Sequence, residues 1–291
     1  MNFYDTIKGR ASHSYLNIFN INDCTAETIA EFDYVIEAPN WSKHDELFFN
    51  ANGKLYKLDL TSKEYTEVNT YQADTCNNDH VLCPTDDRIA VSSGRNGDLL
   101  SQIYIIDQNE KSCTQVTSLP YSYLHGWSPD GKYLAYCAAR EYDGNMEWDV
   151  YSISIDEGVE RRLTTAEGLN DGPEYSPDGS YIWFNSMRTG LMQIWRMRTD
   201  GSDQIQMTFD KEMNSWFPHI SPDMKKVVYI SYHKEDLEPG EHLPDKNVEI
   251  RMISADGGEE KTLLTIFGGQ GSMNVNSWSP DSMKFAFVSY S

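Results

Sequence analysis

The chain has 291 residues and a net charge of −21, because 45 acidic residues stand against 24 basic ones. This negative charge repels the phosphate backbone of nucleic acids and anionic membrane surfaces, so we expect neither as a partner. Hydrophobic residues make up 39% of the chain and aromatic residues 12%. These values are typical of a globular protein and exclude general disorder.

The cysteines and the N-terminal residues indicate a cellular compartment. No apolar run is long enough to cross a membrane, and the first residues lack the basic and apolar regions of a secretory signal. The five cysteines are odd in number and form no Cys-x-x-Cys pair, which predicts free thiols rather than disulfides or a zinc site. We therefore expect a reducing, cytoplasmic location.

The first predicted elements are two strands near the N-terminus, within residues 14–32. They contain apolar residues separated by a polar Asn-Asp turn, but no proline-containing turn precedes them. They match the third and fourth strands of the repeat that follows. This segment therefore looks like one half of a structural unit whose other half lies elsewhere in the chain.

The dominant feature of the sequence is a repeated turn. Trp-Ser-Pro-Asp-Gly at 127–131 returns as Tyr-Ser-Pro-Asp-Gly at 175–179 and in shorter form at 220–223 and 278–281, with weaker copies at 41–44 and 82–85. The proline positions lie at 43, 84, 129, 177, 222 and 280. Their spacing fits a four-stranded propeller blade of roughly 40 to 50 residues.

Each repeat predicts four antiparallel strands. One strand precedes the turn, and a nearly continuous apolar strand follows it, for example at 133–136 and 227–230. Such a strand is covered on both faces. A third strand such as 150–153 comes next, and then a short polar strand such as 161–164, as expected at a sheet edge.

The last repeat ends after its second strand, at 285–288. The N-terminal strands at about 14–32 supply what it lacks. We therefore predict an all-β fold, a six-bladed β-propeller formed by residues 1–291 as one domain, with the N-terminal strands completing the C-terminal blade. Closing the ring in this way removes the unpaired edges of an open array.

The pattern Trp-Ser-Pro-Asp-Gly-Lys-x-Leu-Ala, followed by a third strand and Asp-Gly, resembles the propeller repeat of TolB. The same repeat occurs in the propellers of prolyl oligopeptidase-like peptidases and of oligogalacturonate lyases. The resemblance covers nearly the whole chain and implies a TolB-like propeller. The chain shows neither the extra N-terminal domain of TolB nor a Gly-x-Ser-x-Gly nucleophile motif, so we expect a stand-alone propeller. The repeat itself is structural and implies no particular activity.

We expect a site at the mouth of the central channel, where loops from all blades converge. We place this mouth at the end of the ring where the first strand of each blade begins and the second ends. Two positions of the repeat are expected to face it. One lies three or four residues before the proline position, and the other lies about eleven residues after it.

The first position holds histidines in three blades: His80, His125 and His219. Neutral imidazoles are common ligands of divalent metals, so these three residues are candidates for a metal site. The alternative is that each histidine is a hydrogen-bonded packing residue. The sequence indicates no other cofactor.

The second position holds Arg95, Arg140 and Arg188, with His233 in the fifth blade. Together with Trp216 and Tyr232, these arginines are candidates for binding an anionic ligand such as an acidic sugar. The alternative is that each arginine braces neighbouring blades. Long insertions at 140–149 and 233–247 also belong to this mouth.

These candidate residues suggest two possible functions. The first is a binding or scaffolding module that holds a protein segment or a small ligand at the channel mouth. The second is a carbohydrate-active enzyme, either a metal-assisted lyase or a hydrolase. The lyase would use His219 or His233 as base with Arg140 or Arg188 as cationic clamp. The hydrolase would use two opposed carboxylates, for which Asp171, Glu174 and Glu141 are the candidates.

Overall fold

The computed structural model describes residues 11–94 and 100–291, and β-strands are the regular secondary structure in these ranges. The strands are arranged in six antiparallel sheets, which confirms the prediction of a six-bladed β-propeller. Within the described ranges, no helix is long and apolar enough to cross a membrane.

The first five blades are regular four-stranded sheets in sequence order. Blade one contains β3 (Glu37–Trp41), β4 (Glu46–Ala51), β5 (Lys54–Asp59) and β6 (Tyr65–Val68). Blade two contains β7 (Thr75–Leu82), β8 (Ile89–Gly94), β9 (Gln102–Asp107) and β10 (Ser112–Gln115). Blade three contains β11 (Ser122–Trp127), β12 (Tyr133–Tyr142), β13 (Asn145–Ser154) and β14 (Glu160–Arg162). Blade four contains β15 (Asn170–Tyr175), β16 (Tyr181–Ser186), β17 (Gln193–Arg198) and β18 (Ile205–Gln206). Blade five contains β19 (Met213–Ile220), β20 (Lys226–His233), β21 (Lys246–Ser254) and β22 (Lys261–Gly268).

Blade six joins the two ends of the chain. Its strands are β23 (Lys284–Tyr290), β1 (Ser14–Asn20) and β2 (Thr25–Phe32), and the bridge between Trp278 and Phe285 adds the innermost segment. β1 pairs with β23 along its whole length, with Ile18 opposite Ala286. The predicted ring closure by the N-terminal strands is therefore confirmed.

The repeated Ser-Pro-Asp motif forms a turn that is stabilised by its own side chains. In blade three, Ser128 Oγ donates a hydrogen bond to Asp130 Oδ1 (2.6 Å) and accepts one from the backbone N–H of Tyr133 (2.9 Å). Gly131 has φ of +69°, a conformation that side chains disfavour. The same serine-to-aspartate bond recurs in the turns at Ser176, Ser221 and Ser279.

Neighbouring blades pack through large apolar side chains and a few directed bonds. The indole N–H of Trp127 in blade three donates to the carbonyl of Val81 in blade two (2.9 Å). The indole of Trp278 in blade six makes the equivalent bond to the carbonyl of His219 in blade five (3.0 Å). The tryptophan that precedes the turn thus helps to align adjacent first strands around the channel.

Candidate functional site in the central channel

The first strands of the blades surround the central channel and are irregular where they do so. Each of the first five has a register shift against its second strand, located between residues 37 and 40, 76 and 80, 124 and 126, 171 and 174, and 216 and 219. Ala38, Gly172 and Phe217 adopt positive φ at three of these bulges. A bulge redirects the following side chains, which here include buried polar groups.

His219 and Glu174 form the centre of one buried polar group in the channel. His219 Nδ1 lies 2.7 Å from Glu174 Oε2, and His219 Nε2 lies 3.0 Å from the carbonyl of Met273. Glu174 Oε1 also accepts hydrogen bonds from the backbone N–H of Ile220 (3.0 Å) and from Asn276 Nδ2 (2.6 Å). These contacts join blades four, five and six, and they occupy both ring nitrogens of His219.

A second buried group lies on the boundary between blades three and four. His125 Nε2 is 3.2 Å from Asp171 Oδ1. Burial alone would lower the pKa of His125, but the hydrogen bond and charge of Asp171, with Asp79 nearby, raise this pKa above its usual value. Burial opposes the ionisation of Asp171, but His125 and His242 outweigh it and lower the pKa of Asp171 to about 2.

Asp79 of blade two completes this second group. It is fully buried, and desolvation raises its pKa to about 6, with a further contribution from the negative charge of Asp171 and an opposing one from His125. Asp79 Oδ2 accepts a hydrogen bond from Asn77 Nδ2 (2.9 Å). The channel therefore contains two carboxylates on either side of a histidine that favours its charged form.

The insertion of blade five covers this group from the end where the first strands begin. His242 packs against the rings of Trp216 and Phe217, with ring centroids 4.5 and 5.3 Å away, and its Nε2 lies 3.9 Å from Asp171 Oδ2. Its Nδ1 contacts Gln270 Oε1. The sequence pattern did not single out His242, because this residue lies in an inserted loop and occupies no position that recurs in the repeat. The length of the insertion was the available signal.

The structure separates the three histidines that were candidates for a metal site. His80 is fully buried near the backbone of Phe48, and burial lowers the pKa of its ring to about 4. His125 contacts Asp171, and His219 contacts Glu174, each in its own group. Among residues 11–94 and 100–291, no cluster of three or more histidine, cysteine or acidic side chains is arranged to hold a metal ion.

Arg140 and Arg188 lie inside their own blades. Arg140 makes a bidentate ion pair with Glu160 (3.0 and 2.7 Å) and donates to the carbonyls of Pro120 and Ala139. The guanidinium of Arg188 contacts Ser186, Gln204 and Asn170 and stacks on the ring of Trp195, 4.6 Å from its centroid. Both arginines brace their own blades, which agrees with the structural alternative for these residues rather than with a shared anion clamp. Arg95 lies outside the described residues.

The remaining candidates also differ from the expected arrangement. Trp216 is a fully buried residue of the hydrophobic core. Tyr232 is buried too, and its hydroxyl donates to the carbonyl of Leu243 (3.0 Å), which anchors the insertion. His233 is exposed at the end of β20. The structure therefore does not bring these three residues together around one ligand position.

A cavity of about 1100 Å³ opens on the opposite end of the channel, among the proline-containing turns. Its inner wall includes His125, Glu174 and Asn276, and it extends outward between blades one and two to Gln108. We call this end the turn face and the other end the strand-start face. The repeat pattern predicts a site at the strand-start face, whereas the large cavity lies at the turn face.

The fold and the repeated turns define the class of this protein as a six-bladed β-propeller with TolB-type repeats. A family model described as the TolB beta propeller domain matches residues 125–242. An uncharacterized protein of Agrobacterium fabrum is 43% identical over 288 residues, which cover 97% of this chain and 94% of that protein. The chain belongs to the TolB-like β-propeller family, as the resemblance implied.

A solved structure from Agrobacterium tumefaciens, provisionally named TolB, is also 43% identical, with a TM-score of 0.88 over 97% of this chain and 99% of that one. The Tol-Pal system protein TolB of Francisella tularensis is 23% identical over 261 residues, 87% of this chain. The match covers 56% of that TolB, so the chain spans about half of its length.

Proposed function

We propose that this protein is a binding propeller that holds an extended polypeptide segment in the cavity at the turn face. The observation that carries the proposal is the shape of this cavity. It reaches the channel axis at His125, Glu174 and Asn276 and continues as a groove between blades one and two. Its volume of about 1100 Å³ is at the upper end of typical ligand pockets and suits an elongated ligand.

The chemistry of the walls favours a polypeptide. Trp41 is partly exposed on the cavity wall, and Trp127 and Trp278, which are mostly buried in the core, also line the cavity. Charges of both signs lie at the rim and are paired with each other, as in the contact between Lys43 and Asp87 (3.0 Å). Aromatic surface with a polar rim is the usual composition of protein interfaces. A strongly anionic ligand would require an excess of free cations, and the described lining residues provide none.

The alternative of a carbohydrate-active enzyme is less well supported by the geometry. A lyase requires a base and a cationic clamp beside one ligand. The ring nitrogens of His219 are both occupied, and Arg140 and Arg188 are engaged within their blades. For a hydrolase, Asp171 and Glu174 are each bound to a histidine. We therefore favour binding over catalysis.

We also propose a reducing compartment such as the cytoplasm. All five cysteines are free thiols in the structure, and Cys76, Cys83 and Cys137 are buried. Burial raises the pKa of Cys76 to about 12, which keeps this thiol protonated and unreactive. Fractionation of the source cells, with antibodies against the protein, would test this location.

The binding proposal is tested by selecting peptides from a random phage-displayed library on the immobilised protein. His44→Trp places a bulky ring at the cavity rim, and His13→Trp is a matched control. Both histidines are exposed and each faces an aspartate, Asp87 at 3.5 Å for His44 and Asp33 at 3.3 Å for His13. We expect selected peptides to lose about tenfold or more of their affinity for His44→Trp only. Failure to select any peptide, or equal binding by both variants, would contradict the proposal.

A further inference from the structure

The strand-start face carries a second feature, which is an exposed apolar surface at blade three. Large hydrophobic side chains stay exposed where β11 begins and along the β12–β13 hairpin. Tyr121 is 39% exposed, Met146 52% and Trp148 36%. Leu119, just before β11, is exposed too, and Tyr142 of the same hairpin is exposed on its other face, where its ring contacts Arg162. Exposed apolar groups that cluster on one face mark interaction sites more often than single ones do.

Within this surface, Tyr121, Tyr123 and Trp148 form an aromatic strip that leads towards the channel. The rings of Tyr123 and Trp148 are 5.9 Å apart, and Tyr121 is close enough to Tyr123 to contribute to the raised pKa of its hydroxyl. Burial, with the nearby charges of Asp79 and Asp171, raises the pKa of Tyr123 to about 12. The two buried carboxylates are therefore close enough to the inner end of the strip to act on it through their charges.

The rim around the strip is acidic. Glu141 and Asp143 are exposed in the β12–β13 hairpin. The blade-five insertion adds exposed carboxylates at Glu235, Asp236, Glu238 and Glu241. The neighbouring Lys234 is already paired with Glu212 (2.9 Å). An apolar surface surrounded by negative charge is complementary to a partner that is both basic and apolar.

We propose that the strand-start face at blade three binds a basic polypeptide segment. An arginine or lysine side chain lies against the rings of Trp148 and Tyr123 and points towards Asp79 and Asp171. Aromatic faces attract such cations, and the carboxylates add long-range attraction. An apolar residue of the same segment packs on Met146. This inference goes beyond the proposed function, because it concerns a different partner surface at the other end of the channel.

The charge of the protein decides between possible occupants of this surface. A second copy of the chain brings another net charge of −21 to the same acidic rim, which opposes self-association. The phosphates of nucleic acids and anionic membranes are repelled for the same reason. A basic segment is attracted, and the aromatic strip gives it a specific place to dock.

The test measures the fluorescence anisotropy of a labelled short peptide of alternating arginine and leucine. Companion peptides carry glutamate in place of arginine, or serine in place of leucine. We expect Trp148→Ala and Met146→Ala each to weaken binding of the arginine–leucine peptide by about fivefold or more. The control Tyr133→Ala removes a ring of similar exposure at the turn face and is expected to have no effect.

Several outcomes would overturn the inference. One is failure of the wild-type protein to bind the arginine–leucine peptide. Another is equally tight binding of the arginine–serine peptide by the wild-type protein. A third is equal affinity of Trp148→Ala and Tyr133→Ala for the arginine–leucine peptide, which would indicate diffuse charge attraction. A wild-type dimer that Trp148→Ala dissociates in analytical ultracentrifugation would assign the surface to self-association instead. The His44→Trp variant should bind this peptide normally, which separates the inference from the proposed function at the turn face.

Discussion

His125 of blade three and Asp171 of blade four form an ion pair across the boundary between two blades, and both side chains are buried. The pKa of His125 is raised and that of Asp171 is lowered, so each residue favours its charged form in the folded protein. The pair therefore links two neighbouring first strands at the wall of the channel. The stability of the ring should depend on pH through this pair.

Asp171→Asn is expected to destabilise the protein by about 3 kcal/mol, because it leaves His125 buried without its counter-charge. The raised pKa of His125 stabilises the folded protein fully below the usual histidine pKa of 6.5, and this stabilisation is lost as the pH rises through the raised pKa of the folded state. The lowered pKa of Asp171 stabilises the folded protein above the usual aspartate pKa of 3.8, and this stabilisation is lost as the pH falls through about 2. In urea unfolding, the free energy of unfolding of Asp171→Asn should therefore fall furthest below the wild-type value between about pH 4 and 6.5.

The matched control for this experiment is Asp33→Asn. Asp33 faces His13 at 3.3 Å, but both side chains are exposed, and exposed ion pairs contribute little. We expect the unfolding midpoint of Asp33→Asn to stay at the wild-type value at every pH. An Asp171→Asn variant that behaved like Asp33→Asn would show that the buried pair does not stabilise the ring.

His80 should make the protein less stable in acid. Its folded pKa of about 4 lies below the usual value of 6.5, so the unfolded chain binds a proton first as the pH falls. As the pH falls from about 6.5 to 4, this difference in proton binding lowers the free energy of unfolding by about 3 kcal/mol. The variant His80→Gln should lose this part of the pH dependence in urea titrations, and the exposed control His44→Gln should retain it. Parallel curves for wild type and His80→Gln would argue against a buried neutral ring.

Arg140→Lys should destabilise blade three by about 1–3 kcal/mol, because lysine cannot form the bidentate pair with Glu160 or reach the loop carbonyls. Arg198→Lys is the matched control, since Arg198 is exposed and lies 3.7 Å from the exposed Asp203. Thermal unfolding checks both variants. If Arg140 instead served a ligand, Arg140→Lys would leave the melting temperature unchanged and reduce only binding.

Phe19→Ala tests the closure of the ring. Phe19 is fully buried on β1 and packs on Phe285 of β23, with ring centroids 5.1 Å apart. Removing its ring should cost about 3–5 kcal/mol. Hydrogen exchange should accelerate first along β23, where β1 is its neighbour. The control Phe209→Ala removes a ring that is 65% exposed and should have little effect. Uniform acceleration over all blades would mean that the closing pair is not a local weak point.

Much of the fold follows from local signals that are readable in the chain. The turn at Ser128 and Asp130 is stabilised by bonds between residues close in sequence, so its repetition identifies the blades directly. The first and last units are each incomplete, so pairing the N-terminal strands with the last repeat was the simplest way to complete a blade. Leu16 indeed pairs opposite Val288. Turn chemistry and strand patterning are properties of short segments, which is why the sequence was sufficient for them.

The direction of each channel side chain was decided by the tertiary structure alone. His80 and His125 both lie four residues before a proline position, yet His80 is buried near Phe48 and His125 lines the channel. Their first strands have register shifts at different places, and an inserted residue changes which way the following side chains point. The partner of Arg140 is likewise Glu160, twenty residues away, because strand pairing sets that contact. The sequence determined the blades and their closure, whereas contacts between distant residues determined which polar groups meet at the axis.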